Sequence, residues 1–108
     1  MEERWRKFFA RLEFDASVFK DVVKTFEYNE FVQIEMKLRE IEDAKDPGAV
    51  SGNRGKVGGK RYHVELSTYS GFPSRIFYKA VPLADNKKTA IVTDIVKYND
   101  SRYNDLCK

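Results

Sequence analysis

Residues 62–67 read Tyr-His-Val-Glu-Leu-Ser, a run in which apolar and polar side chains alternate. Successive side chains of an extended strand point to opposite faces, so Val64 lies on one face, and His63 and Glu65 lie on the other. A period of two residues is the signal of a half-buried strand. The stretch therefore predicts a β-strand over residues 62–68, with one apolar face and one polar face.

Two runs farther along the chain also have strand character, at residues 74–82 and residues 89–97. In the first of them, Arg75 and Phe77 lie on the face opposite to Ile76. The second run is apolar on both faces, which is typical of a central strand that is covered on both sides. The connecting segments are rich in Gly, Pro, Ser, Asn and Asp, so we expect turns there.

The N-terminal half has helical periodicity instead. Asp15 is a candidate N-cap for a first helix, and Asn29 is a candidate N-cap for a second. The second helix runs from Glu30 to about Ala44, and Pro47 prevents it from continuing. The apolar stripes of the two helices are Val18, Phe19, Val22, Val23 and Phe26, and then Phe31, Ile34, Leu38 and Ile41. Because the joint between the helices is short, we expect an antiparallel hairpin.

The segment before the first helix permits two interpretations. Residues 8–14, Phe-Phe-Ala-Arg-Leu-Glu-Phe, alternate well enough to form a strand. They also fit a helix with Trp5, a phenylalanine at position 8 or 9, and Leu12 on one face. We favour a strand over residues 9–14, preceded by a helical turn.

The predicted order of elements is therefore β-α-α-β-β-β. We expect a single α+β domain over residues 1–108, in which the helical hairpin packs on a mainly antiparallel sheet. The chain has 108 residues, of which 42% are hydrophobic and 34% are charged, so its composition suits one folded domain.

The sequence also argues against two classes of protein. No apolar run approaches the roughly 18 residues that a membrane-spanning helix needs. Met1 is not followed by the apolar segment of a secretory signal. The single cysteine, Cys107, cannot form an internal disulfide. We therefore expect a cytoplasmic protein that does not bind membranes.

The charge of the chain is unevenly distributed. Residues 1–50 contain nine Lys or Arg and twelve Asp or Glu, a net charge of −3, whereas residues 51–108 contain eleven and five, a net charge of +6. The basic half includes a glycine-rich loop at residues 53–61 that has four cations and no acid: Arg54, Lys56, Lys60 and Arg61. A basic half of this kind favours an acidic partner such as nucleic acid.

The predicted strands bring chemically useful side chains together. If the sheet face opposite to Val64 is open, then His63, Glu65 and Arg75 project onto it from neighbouring strands. Directly opposite residues on paired strands lie about 5 Å apart. This trio could therefore contact a single phosphate, and the cations of the glycine-rich loop would line the approach.

Metal-independent cleavage of RNA needs a base for the 2′-OH, cations that hold the phosphate and an acid for the leaving oxygen. The candidates are His63 or Glu65 as the base, Arg75 and Lys97 as the electrostatic clamp, and Tyr98 or Tyr103 as the acid or as a platform on which a base stacks. One histidine and one distant cysteine cannot form the common zinc sites. We expect neither a metal nor another cofactor.

The element order and several motifs resemble the RelE/ParE superfamily, which are small bacterial toxins of type II toxin–antitoxin systems. The resemblance covers nearly the whole chain. Its motifs are the Gly/Lys/Arg loop at residues 53–60, the Tyr-X-hydrophobic-X-Leu strand at residues 62–66, the Arg-Ile-Phe-Tyr strand at residues 75–78, and the final strand at residues 94–97 followed by Tyr103. The resemblance implies a RelE-like fold and cleavage of mRNA in the ribosomal A site, without metal, by attack of the 2′-OH. It also implies a partner antitoxin that wraps the basic face.

Individual residues match the family pattern to different degrees. Arg75 matches the phosphate-binding arginine of the family, Lys97 falls where many members have a second basic residue, and Tyr103 matches a tyrosine that some members use. His63 and Glu65 stand where some members carry two lysines. This departure favours an alternative, a non-catalytic binding module on the same scaffold, either a gyrase-directed relative or a phage- or plasmid-borne inhibitor or nucleic-acid-binding protein.

Overall fold

The computed structural model describes residues 2–57, 61–66, 74–80, 88–97 and 101–106. The helices are α1 (Glu2–Phe8), α2 (Ala16–Thr25), α3 (Tyr28–Asp43) and α4 (Tyr103–Leu106), and a short 3-10 turn covers Pro47–Ala49. The strands are β1 (Leu12–Phe14), β2 (Asn53–Val57), β3 (Arg61–Leu66), β4 (Ser74–Ala80) and β5 (Ala90–Lys97). The chain is therefore a mixed α+β protein, as the sequence predicts.

The five strands form one sheet in the order β1-β5-β4-β3-β2. The pairs β2–β3, β3–β4 and β4–β5 are antiparallel, whereas β1 runs parallel to β5. A parallel neighbour needs a long crossover connection, and here the chain between β1 and β5 includes α2, α3 and the other three strands. The prediction of a mainly antiparallel sheet is confirmed.

The hydrophobic core lies between one face of this sheet and the helices. Helix α2 packs against β5, and helix α3 packs against β3. The helical stripes predicted from the sequence supply Val18, Phe19, Phe26, Ile34, Leu38 and Ile41 to the core, and the sheet supplies Val64, Leu66, Ile76, Tyr78, Val92 and Ile95. Full burial of an aliphatic or aromatic side chain contributes roughly 1.5–3 kcal/mol, so this layer holds the helices on the sheet.

The N-terminal segment combines both interpretations that the sequence allowed. Helix α1 comes first, and the strand that follows is only Leu12–Phe14 rather than residues 9–14. The reason is Trp5, which is fully buried among the rings of Phe9, Phe14 and Phe19. The amide of Phe9 donates to the carbonyl of Trp5 at 2.9 Å, which closes the last turn of α1 at the residue where the predicted strand begins.

The start of α3 differs from the prediction. The N-cap is Glu27 and not Asn29, and Glu30 completes a capping box because its side chain accepts from the Glu27 amide at 2.9 Å. Such a reciprocal pair satisfies two amides that the helix leaves unbonded. Asp15 does occupy the N-cap position of α2, although its side chain makes no capping hydrogen bond.

The predicted glycine-rich loop is also partly wrong, since its first half is strand β2. Asn53 pairs with Val64 and Lys56 pairs with Tyr62, and the register shifts between the two pairs. Gly55 lies in this irregular part with a φ of +94°, a conformation that glycine adopts without steric cost. Residues 58–60 of the predicted loop lie outside the described residues.

The longest helix in the described part of the chain has 16 residues, and none of the helices there is both long and apolar enough to cross a bilayer.

Candidate functional site

The sheet face opposite to α2 and α3 carries the candidate residues. We call it the polar face, and its members on β3, β4 and β5 include Arg61, His63, Glu65, Arg75, Phe77 and Asp94. The register places Glu65 opposite Arg75 and His63 opposite Phe77. Directly opposite residues share a face, so the sequence prediction that His63, Glu65 and Arg75 come together is confirmed.

Arg75 and Glu65 form the central ion pair of the polar face. The Nη2 atom of Arg75 lies 2.7 Å from the Oε2 atom of Glu65. The side chain of Arg75 is 8% exposed and that of Glu65 is 26% exposed. Because both side chains are mostly buried, the contact between this carboxylate and this guanidinium is a strong charge-assisted hydrogen bond. It fixes the guanidinium over the end of β3.

His63 lies one side chain farther along the same face of β3. Its Nδ1 atom is 3.1 Å from the carbonyl oxygen of Gly55 in β2. Its ring stacks on Phe77 with a centroid distance of 5.6 Å and an angle of 17° between the planes. Both contacts leave the histidine only 8% exposed. The imidazole is therefore held in one orientation between β2 and β4.

Arg61 connects the polar face to the C-terminal helix. Its Nη1 atom lies 2.9 Å from Oδ2 of Asp94, and its Nη2 atom donates to the carbonyl of Leu106 in α4 at 3.2 Å. The same guanidinium lies 5.6 Å from the centre of the Phe77 ring. Burial raises the pKa of the Asp94 carboxyl, and it outweighs the opposing effects of the hydrogen bond from Thr93 and of the nearby Arg61 charge.

The expectation that this face is open is wrong. Phe77 is fully buried, and His63 and Arg75 are more than nine-tenths buried. Two elements that the sequence did not predict contribute to this burial, because β2 places its Gly55 carbonyl against the imidazole and α4 lies against Arg61. The site is a covered cluster of charges and not an exposed platform.

Lys97 lies on the other face of the sheet. Its cross-strand partner is Ser74, whereas the partner of Arg75 is Val96, and adjacent residues of a strand point in opposite directions. The Nζ atom of Lys97 lies 3.2 Å from Oε1 of the fully buried Glu30 in α3. The structure therefore does not assemble the predicted clamp of Arg75 and Lys97.

The other predicted residues are distributed more widely. Of the two loop cations whose side chains are described, Arg61 lies on the polar face, whereas the ammonium of Lys56 lies 5.1 Å from the ring of Tyr62, which packs against the core on the other face. Arg54 lies in β2, and Tyr103 is the first residue of α4. Lys60 and Tyr98 lie outside the described residues.

Sequence reasoning gave no role to three residues that shape the site. Phe77 was placed on the correct face, but its stacking on His63 depends on a strand register that the sequence does not specify. Asp94 had a usable signal, because a carboxylate within an apolar strand needs a partner when it is buried. Gly55 was taken only as part of a basic loop, and no local signal links its carbonyl to His63.

Comparison of the chain with protein-family models, with curated proteins and with solved structures gave no match. Membership of the RelE/ParE superfamily is therefore a proposal, which rests on the residues and on the order of the elements.

Proposed function

We propose that the protein is a RelE-like toxin of a type II toxin–antitoxin system, a metal-independent endoribonuclease that acts on mRNA in the ribosomal A site. The observation that supports this most is the grouping of Glu65, Arg75 and His63 on one face of the sheet. The succession of β1, α2, α3 and the antiparallel strands β3, β4 and β5 supports the order that the family resemblance implies, to which this chain adds α1 before β1 and the strand β2. A cytoplasmic location and an antitoxin partner belong to the same proposal.

The chemistry assigns a different task to each group. His63 takes the proton from the 2′-OH, which attacks the adjacent phosphorus, and Arg75 stabilises the charge that develops on the phosphate oxygens. A bond forms between the 2′ oxygen and phosphorus while the bond to the 5′ oxygen breaks. The 5′ oxygen leaves with a proton from an acid, for which Tyr103 in α4 is the candidate. The products are a 2′,3′-cyclic phosphate and a 5′-hydroxyl end.

Glu65 has a supporting task in this scheme. Its carboxylate holds the Arg75 guanidinium at 2.7 Å, which keeps the cation in place before the phosphate arrives. Because Arg75 and His63 are so little exposed, the substrate must displace part of the cover of the polar face. The contact between Arg61 and the Leu106 carbonyl is one that has to break if α4 moves.

Growth of cells that express the protein tests this proposal. We expect growth arrest with the wild-type chain and normal growth with Arg75→Ala. Lys79→Ala is the matched control, because Lys79 lies on the same strand as Arg75 and is exposed. Its removal deletes one positive charge without touching the ion pair, so arrest should persist.

The loss of arrest must not come from misfolding. Trp5 is the only tryptophan and is fully buried, so its fluorescence emission reports whether the Arg75→Ala protein keeps its core. Vigorous growth in the presence of folded wild-type protein would exclude a toxin. Arrest by a folded Arg75→Ala protein would remove Arg75 from the mechanism.

A second candidate function is a non-catalytic binding module on the same scaffold. The observation that favours it is the burial of Arg75 and His63, which already contact Glu65 and Phe77 within the chain. A binding module would arrest growth, or inhibit a target such as gyrase, without producing cleaved mRNA. Sequencing of mRNA 5′ ends after induction separates the two candidates, since only the nuclease creates new ends within codons.

A further inference from the structure

We propose that the backbone carbonyl of Gly55 is a positioning group that holds His63 in the tautomer with its proton on Nδ1. The carbonyl oxygen lies 3.1 Å from Nδ1. A carbonyl oxygen can only accept a hydrogen bond, so Nδ1 must be the nitrogen that donates. In the neutral ring, Nε2 then carries the lone pair.

The backbone around Gly55 is arranged to place this carbonyl. The φ of Gly55 is +94°, and the amide of Gly55 donates to Oδ1 of Asn53 at 2.6 Å. The side-chain nitrogen of Asn53 donates in turn to the carbonyl of Gly48 at 2.8 Å. The Asn53 side chain therefore ties the irregular part of β2 to Gly48, and the Gly55 oxygen reaches His63 on the polar face.

The plane of the imidazole is fixed independently by Phe77. The two rings are stacked within 17° of parallel, so Phe77 holds the ring plane, and the hydrogen bond at Nδ1 selects one of the two χ2 orientations that differ by a half-turn. A hydrogen bond at Nδ1 and a stacked ring together determine both the tautomer and the orientation. Free histidine in water prefers the proton on Nε2, so this arrangement reverses the intrinsic preference.

The consequence for catalysis rests on the proposed function. A base that accepts the 2′-OH proton needs an unprotonated nitrogen, and this tautomer provides it at Nε2. The glycine-rich segment then acts through His63 and not, as its charge suggests, by lining the approach of the phosphate. Gly55 is a positioning residue in this scheme, and His63 is the residue that meets the substrate.

Nitrogen NMR of the intact protein tests the tautomer directly. His63 is the only histidine in the chain, so the imidazole nitrogen signals of the spectrum belong to this residue. Long-range proton–nitrogen correlation spectra distinguish the Nδ1–H and Nε2–H forms of a neutral ring. At a pH about two units above the usual histidine pKa of about 6.5, we expect the Nδ1–H pattern. An Nε2–H pattern in the wild-type protein would overturn the inference.

Two variants then test whether Gly55 is the cause. A Cβ atom added at Gly55 would meet no other atom within 4 Å, so Gly55→Ala strains the backbone without a clash. Asn53→Ala removes the oxygen that holds the Gly55 amide. Trp5 emission shows which of the two variants is folded. In each folded variant, we expect part or all of the His63 NMR signal to change from the Nδ1–H pattern to the Nε2–H pattern. Lys79→Ala should keep the wild-type pattern.

The outcomes separate this inference from the proposed function. If folded Gly55→Ala and Asn53→Ala proteins both keep the Nδ1–H pattern, Gly55 does not position His63. If the tautomer behaves as expected but the wild-type protein never cleaves mRNA, the positioning holds and the nuclease proposal fails. If the protein is a nuclease, Gly55→Ala should lower kcat about tenfold or more with little change in KM. A loss of this size is part of the roughly 100- to 10,000-fold contribution of a general base.

Discussion

The two ring nitrogens of His63 have different surroundings, and two substitutions can separate them. The side-chain nitrogen of an asparagine can occupy the position of Nδ1, whereas that of a glutamine reaches the position of Nε2. His63→Asn should therefore keep the hydrogen bond to the Gly55 carbonyl, and His63→Gln should lose it. Both variants lack a base.

We accordingly expect His63→Asn to be more stable than His63→Gln by about 1 kcal/mol, the usual net contribution of one hydrogen bond. Urea unfolding followed by Trp5 fluorescence measures this difference. Cleavage activity should be lost in both variants. A glutamine variant that is the more stable of the two would show that the contact at Nδ1 does not stabilise the fold.

Asp94 predicts a dependence of stability on pH. Burial raises the pKa of its carboxyl above the ordinary value of 3.8. In the range just above that value, the folded state binds a proton that the unfolded state does not, so acidification stabilises the folded state at this residue. Protonation of Asp94 also weakens its ion pair with Arg61. The Arg61 charge opposes the rise of the Asp94 pKa, but burial outweighs it.

Asp94→Asn removes this titration. The free energy of unfolding of the wild type, minus that of Asp94→Asn, should increase as the pH falls from about 7 to about 4.5. Taking the difference cancels the contributions of the other carboxylates. Urea unfolding at the two pH values measures it, and a difference that stays constant or decreases on acidification would contradict a raised pKa.

At the residue scale, the alternation of side chains within one strand predicts which residues of that strand share a face. The shared face of His63 and Glu65 follows from spacing alone, and the pairing with Arg75 needs only a neighbouring antiparallel strand. The position of Lys97 could not be predicted in the same way. Strand β5 is apolar on both faces, so its pattern does not show whether Lys97 lies on the same face as Arg75. Only the register between β4 and β5 shows that it does not.

At the scale of the elements, Lys97 joins β5 to α3. Its ammonium pairs with Glu30, which is fully buried and also accepts from the amide of Glu27 at the start of α3. The same ammonium lies 5.3 Å from the centre of the Phe26 ring. Lys97 thus neutralises a buried carboxylate where the two helices meet the sheet.

Lys97→Met should therefore reduce stability without changing the chemistry of the polar face. We expect a loss of about 2 kcal/mol, less than the roughly 3–5 kcal/mol for breaking a fully buried pair, because a fifth of the Lys97 side chain is exposed. Lys7→Met is the control, since the exposed pair of Lys7 with Glu3 should contribute less than about 1 kcal/mol. If Lys97→Met lost cleavage activity with unchanged stability, Lys97 would have a role in the reaction, and this account of it would be wrong.

Element prediction succeeded where periodicity is strong and failed where partners decide the structure. Helices α2 and α3 and the strands β3, β4 and β5 follow from apolar spacing. Strand β2 does not, because glycine and lysine have low strand propensity and only pairing with β3 makes this segment extended. Helices α1 and α4 are too short for periodicity, and the burial of Trp5 and the contact of Arg61 with Leu106 decide their positions.

At the scale of the whole molecule, the basic second half overstates the positive charge that is ready for RNA. Three of the eleven cations of residues 51–108 pair with a carboxylate of the same chain: Arg61 with Asp94, Arg75 with Glu65, and Lys97 with Glu30. The net charge of +6 already counts Glu65 and Asp94, but Glu30 lies in the first half of the chain. Composition reports the sum of the charges but not these internal pairs. In the proposed function, RNA binding at the polar face exchanges the Arg75–Glu65 ion pair for a contact with phosphate, so Arg75 is the residue whose substitution tests the proposal.

The most direct test of the central claim is a cleavage assay with purified components. End-labelled mRNA on ribosomes with an empty A site is incubated with the wild-type, Arg75→Ala or Lys79→Ala protein, each shown to be folded by Trp5 emission and supplied without divalent metal beyond what the ribosome requires. We predict cleavage within the A-site codon by the wild-type and Lys79→Ala proteins and none by Arg75→Ala. Intact mRNA after incubation with folded wild-type protein, or equal cleavage by Arg75→Ala, would contradict the account.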